Sequence, residues 1–125
     1  MSAKATNLAR IQEVYDIATQ TRAQIARLGF TRDMFLEPAT DEEDLIAEGI
    51  LNRVFRVAEE AGYIDEDVAT TYGFDTVGAR GVRNRLAHVY GEVDRDLVWS
   101  VIENDFPVML LACKRYCDDV GVDIG

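Results

Sequence analysis

Residues 40–61 read TDEEDLIAEGILNRVFRVAEEA, and their pattern decides the fold. Thr40 stands three residues before Glu43, the spacing of a capping box, in which a hydroxyl and a carboxylate satisfy N–H groups that a helix start leaves without partners. Asp41, Glu42 and Asp44 add negative charge at the positive end of the helix dipole. The spacing predicts a helix over residues 40 to about 61. Its apolar residues Ile46, Ile50, Leu51, Val54, Phe55, Val57 and Ala58 cover more than one stripe, so the helix is expected to face two neighbours. The acidic cluster at 41–44 is assigned to the dipole in preference to a cation, because nothing else in the chain has the spacing of an oxygen-ligand loop.

The same periodicity extends outward on both sides. Over residues 7–28, Leu8, Ile11, Tyr15, Ala18, Ile25 and Leu28 recur at intervals of three, four or seven, and Gly29 follows as a C-terminal cap. Downstream, residues 62–74 read as a loop with one helical turn. A third helix is expected after the capping residue Asp75, ending near Gly91 and burying Val77, Val82, Leu86 and Val89. Gly78 and Gly81 weaken it intrinsically, by about 1 kcal/mol each relative to alanine. They mark either a frayed start or close backbone packing, against another chain among the options. A fourth helix starts at Asp94 and runs to about Val120, with Pro107 expected to kink or divide it. Strand-type alternation is nowhere sustained. The expectation is an all-α, antiparallel four-helix bundle forming one domain over residues 1–125.

Composition bounds the function. The chain has 125 residues, 48% of them apolar, and no run approaches the roughly 18 apolar residues of a membrane span. Residues 1–10 lack the apolar stretch of a signal peptide, so a cytoplasmic location is expected. The formal charge of -10 excludes a protein that coats nucleic acid with its whole surface. Any RNA contact must be local, and Arg80, Arg83, Arg85 and Arg95 form the candidate patch, diluted by Glu92, Asp94 and Asp96. Cys113 and Cys117 lie four apart on one helix and read as two half-buried thiols. With a single histidine in the chain they do not complete a zinc site, and neither a metal nor a cofactor is called for.

Residues 80–91, RGVRNRLAHVYG, concentrate the chemistry: His88, the arginines Arg80, Arg83 and Arg85, Asn84 and Tyr90. In the functional reading His88 is the acid-base group, Arg83 stabilises phosphate charge and Asn84 orients the phosphate or the histidine. Arg80 and Arg85 either guide RNA or form a solvated face. In the bland reading His88 caps helix carbonyls, and Tyr90 packs on the bundle with its hydroxyl bonded to a carbonyl. On a regular helix Arg83 and His88 diverge by about 140°. Either the last turn loosens, or a second subunit faces the first and supplies the missing group.

Residues 83–90, Arg-Asn-Arg-Leu-Ala-His-Val-Tyr, resemble the Arg-x4-His-x-Tyr signature of HepT-like proteins in the HEPN superfamily. The likeness continues through Gly91, Val93, Asp94, Val98, Trp99, Ile102, Asp105 and Pro107. The resemblance implies a HEPN-like bundle and a metal-independent endoribonuclease, the toxin of a type VII-like toxin-antitoxin pair. It implies catalytic Arg83, Asn84 and His88, with RNA cleaved at a site formed across a homodimer or higher even oligomer. It further implies control by an MntA-type nucleotidyltransferase antitoxin that transfers AMP to Tyr90. The reading from another class is a catalytically silent bundle that binds a nucleotidyltransferase or another protein, which the net charge taken alone favours.

Overall fold

The computed structural model describes residues 3–88 and 93–124, with side chains described for 6–87 and 93–124. Among the described residues every element is helical. Helix α1 spans Ala3–Leu28, α2 Arg32–Leu36, α3 Asp41–Gly62, α4 Glu66–Tyr72, α5 Thr76–His88, α6 Arg95–Ser100 and α7 Phe106–Asp119. A π-helical segment, Val101–Asp105, joins α6 to α7.

The central element is α3, and its start is built as the sequence requires. Thr40 Oγ1 accepts from the Glu43 N–H at 3.1 Å, while the Glu43 carboxylate reaches back to the Ala39 N–H at 3.2 Å. Its two apolar stripes find two neighbours, with α1 packed on one side and α5 on the other. Ile50, Val54, Val57, Ala58 and Ala61 are all buried. Burying each valine or isoleucine stabilises the fold by about 1.5–3 kcal/mol, so this helix anchors the bundle. From α1, Ile11, Val14, Ile17 and Ala18 meet it in the core, and α7 packs on α1 with Ala112, Cys113, Tyr116 and Cys117 inward.

Two short helices add to the four long segments. Thr31 caps α2 by accepting from the Met34 N–H, and Phe35, fully buried, stacks at a tilt on Trp99 with ring centroids 5.4 Å apart. Arg95 lies over the Phe35 ring and donates to the Phe35 carbonyl at 2.6 Å. It therefore pins α2 to α6 and is withdrawn from the arginine patch. The region 62–74 holds α4, seven residues long, where a single turn was expected, and Gly73 ends it at φ 89°. Left-handed backbone of that kind favours glycine.

The last long segment is helical from Arg95 to Asp119, with a π-helical turn at Val101–Asp105 just ahead of Pro107. Proline has no N–H to donate, and here it stands in the first turn of α7, where such a donor has no partner in the helix. Immediately before it, the Phe106 N–H bonds five residues back to the Val101 carbonyl. The ladder is thus widened ahead of the proline. One expectation is corrected in α5: Val77 is 69% exposed and not in the core. It sits in the first turn, where four residues of pattern are too few to set the phase of a helix.

Candidate functional site on helix α5

Helix α5 begins with Asp75, whose carboxylate accepts from the Gly78 N–H at 2.9 Å, and with Thr76, which donates to the Glu66 carboxylate at 3.0 Å. Gly78 is explained by this cap, since a Cβ there would lie 2.3 Å from the Asp75 carboxylate. Around Gly81 a Cβ would meet nothing within 4 Å. The glycine that allows close approach is Gly62 at the end of α3, where a Cβ would fall 2.8 Å from Arg80 Cγ. Arg80 donates to the Gly62 carbonyl at 2.8 Å, one of the acceptors a helix end leaves open. Its guanidinium is committed to holding α5 against α3.

Arg83 faces the same side. Its Nη2 lies 3.6 Å from the Glu59 carboxylate, its guanidinium is 5.7 Å from the centroid of the Phe55 ring, and Nη1 donates to Asn84 Oδ1 at 3.4 Å. Nε is buried and without a hydrogen-bond partner among the described residues. A half-exposed ion pair of this kind contributes at most about 1 kcal/mol, so a phosphate that offers two oxygens can compete for the fork. Glu59 and Phe55 escaped the sequence reading because they lie far along the chain from Arg83 and meet it through the packing of α3 on α5.

The opposite side of α5 is different. Positions 78, 81, 85 and 88 follow one another at intervals of three, four and three, which places them on one stripe. Arg85, on that stripe, lines a cleft of 470 Å³ between α5 and the α6–α7 segment and has no ion pair or hydrogen bond among the described residues. Asp75 and Asp105 line the same cleft. Burial, followed by the nearby Asp75 charge, raises the Asp105 carboxyl above the usual carboxylate value. The α-helix is continuous from Thr76 through His88. Arg83 and position 88 accordingly stand about 140° apart around the axis. The side chain of His88 and the whole of Tyr90 lie outside the described residues.

Arg83 and Asn84 are thus brought together, Arg80 is turned to a structural bond, and Arg85 opens onto a separate cleft. Among the described residues no cluster of three or more His, Cys, Asp or Glu side chains is placed to hold a metal ion. A family model described as Ribonuclease HepT-like matches residues 11–116, from the first turns of the α1 core stripe to Tyr116 in α7. The chain belongs to the HepT-like ribonuclease family. No curated protein and no solved structure matches it. The family match takes in the whole of α5 and both elements that flank it, and membership supports an endoribonuclease of the HEPN class. For a HepT-like chain the helical bundle is the expected scaffold, and no helix among the described residues is long and apolar enough to cross a membrane.

Proposed function

We propose that this HepT-like protein is a metal-independent endoribonuclease toxin, acting as a homodimer and controlled by a nucleotidyltransferase antitoxin that attaches AMP to Tyr90. The observation that carries the reading is the placement of Arg83, Asn84 and His88 on one uninterrupted helix of a ribonuclease family member. In the reaction, His88 removes the proton from a ribose 2′-hydroxyl, and the resulting oxygen attacks the adjacent phosphorus. Arg83 and Asn84 hold the phosphoryl oxygens on which negative charge builds. The bond to the 5′-oxygen breaks, a protonated group delivers a proton to that oxygen, and a 2′,3′-cyclic phosphate remains. The divergence of Arg83 from position 88 supports pairing of two copies, since one histidine serves as base and a second as acid.

Cleavage of a labelled RNA in the presence of EDTA tests this, together with end-group analysis. Arg83→Ala and His88→Ala are each expected to lower the rate by about 10²-fold or more while leaving the helical circular dichroism unchanged. Loss of cleavage in EDTA overturns the metal-free mechanism. Full activity in both variants moves the catalytic groups away from Arg83 and His88, and no cleavage by the unaltered chain returns it to the second reading, a silent bundle that binds a protein partner.

A further inference from the structure

We propose that the cleft between α5 and the α6–α7 segment is a base-recognition subsite, in which Asp105 reads a guanine flanking the scissile phosphate and Arg85 holds its backbone. The proposal rests on the ribonuclease reading for its substrate. It rests on the cleft itself for its chemistry. The cleft has the size of a small-molecule site at 470 Å³, and its walls include Val101 and Met109 alongside Gly81, where a Cβ would meet nothing within 4 Å. Such a slot takes the faces of a planar ring. Its position links it to the chemistry, because Arg85 and position 88 are three residues apart on one stripe of the helix.

The polar groups decide which ring. Arg85 has no protein partner among the described residues, which leaves a full guanidinium fork for a phosphate at the rim. Asp105 lines the cleft together with a second carboxylate, Asp75, and it has no hydrogen-bond donor among the described residues. A carboxylate whose acceptor positions are open at the wall of a cleft is matched by a ligand that supplies donors. Guanine presents two adjacent donors on its Watson–Crick edge, the ring N1–H and the exocyclic amine, and so meets both carboxylate oxygens at once. Adenine and cytosine each set a ring acceptor beside their amine, and uracil flanks its N–H with carbonyls. Against Asp105 each of these three places a lone pair towards a carboxylate oxygen.

Two measurements on the unaltered full chain test the assignment. In the first, GMP, AMP, CMP and UMP are titrated into the protein by calorimetry. In the second, cleavage sites are mapped on oligoribonucleotides that differ in one base. GMP is expected to bind roughly 10-fold or more tightly than the others, and cleavage to concentrate beside guanosine, with inosine, which lacks the amine, intermediate. Asp105→Asn should erase the preference, while Arg85→Ala should weaken all four nucleotides and keep their order. Equal binding of the four nucleotides, or a preference that survives Asp105→Asn, overturns the proposal. Selective GMP binding with no guanosine preference in cleavage assigns the cleft to a free nucleotide and overturns the substrate role. Selective GMP binding by a protein that cleaves no RNA removes the ribonuclease reading and leaves the guanine site standing.

Discussion

Arg83 is held at 3.6 Å from the carboxylate of Glu59, so the arginine expected to grip a phosphate already rests against an acid from the neighbouring helix. Both side chains are about a third exposed, and solvent keeps the pair weak. In the proposed reaction Glu59 is a placeholder that the substrate phosphate displaces.

Glu59→Gln is therefore expected to strengthen RNA binding, by at most about fivefold given the small worth of a half-exposed pair. The KM for RNA should fall while kcat changes little. A rise in KM would show instead that Glu59 steers Arg83 towards its substrate.

Asp105→Asn is expected to stabilise the fold at neutral pH. The folded-state value of this carboxyl is raised, so across the interval from its unfolded to its folded value the native state binds more protons than the unfolded chain. Stability is then lost as pH rises through that interval, and the charged form is the costly one at pH 7. Melting temperatures of the two proteins should differ most at neutral pH and converge at pH 3.

Cys113 is fully buried, and burial first, then Cys117, pushes its thiol up to about 12. The native protein should resist alkylation at pH 8 and react at both cysteines once unfolded. Above the ordinary thiol value the unfolded chain releases a proton that the native state retains, so stability should decline between about pH 9 and pH 12. Cys113→Ala should lessen that decline.

Tyr90 is the proposed control point. Co-expression with the nucleotidyltransferase should give a chain heavier by one or more AMP units, and peptide fragmentation should place them on Tyr90. An attached AMP brings a permanent negative charge and a bulky base, both opposed to RNA binding. Tyr90→Phe should retain cleavage and escape neutralisation. Full neutralisation of Tyr90→Phe would move control to binding or to another residue.

What the sequence disclosed follows the range of the interactions. The Thr40 and Glu43 cap was legible because its partners lie within one turn, and the two stripes of α3 announced two neighbours that α1 and α5 supply. Helix α2 was missed because its five residues are too few to show a period, although Thr31 carried a cap signal. At the site, Arg83 and Asn84 were visible as neighbours, and His88 and Tyr90 gained meaning through the resemblance of residues 83–90. The hold of Glu59 and Phe55 on Arg83 was invisible, as was the cleft that Asp75 and Asp105 share. Each of these is made by the packing of helices distant in sequence.

The widened turn at Val101–Asp105 limits how this chain can change in length. One residue in a helix carries about 100° of rotation, so a single extra residue taken up in a wide turn sets the phase of everything after it. Downstream, Cys113, Tyr116 and Cys117 face inward, while Val108 and Leu111 stay exposed. A deletion of one codon between 101 and 105 would restore an ordinary ladder and place Pro107 among its hydrogen bonds. It would also turn α7 by more than a quarter of a revolution and bring its wet side onto α1. The segment is therefore a gear between the two halves of the last helix, and its length is constrained more tightly than the identity of its residues.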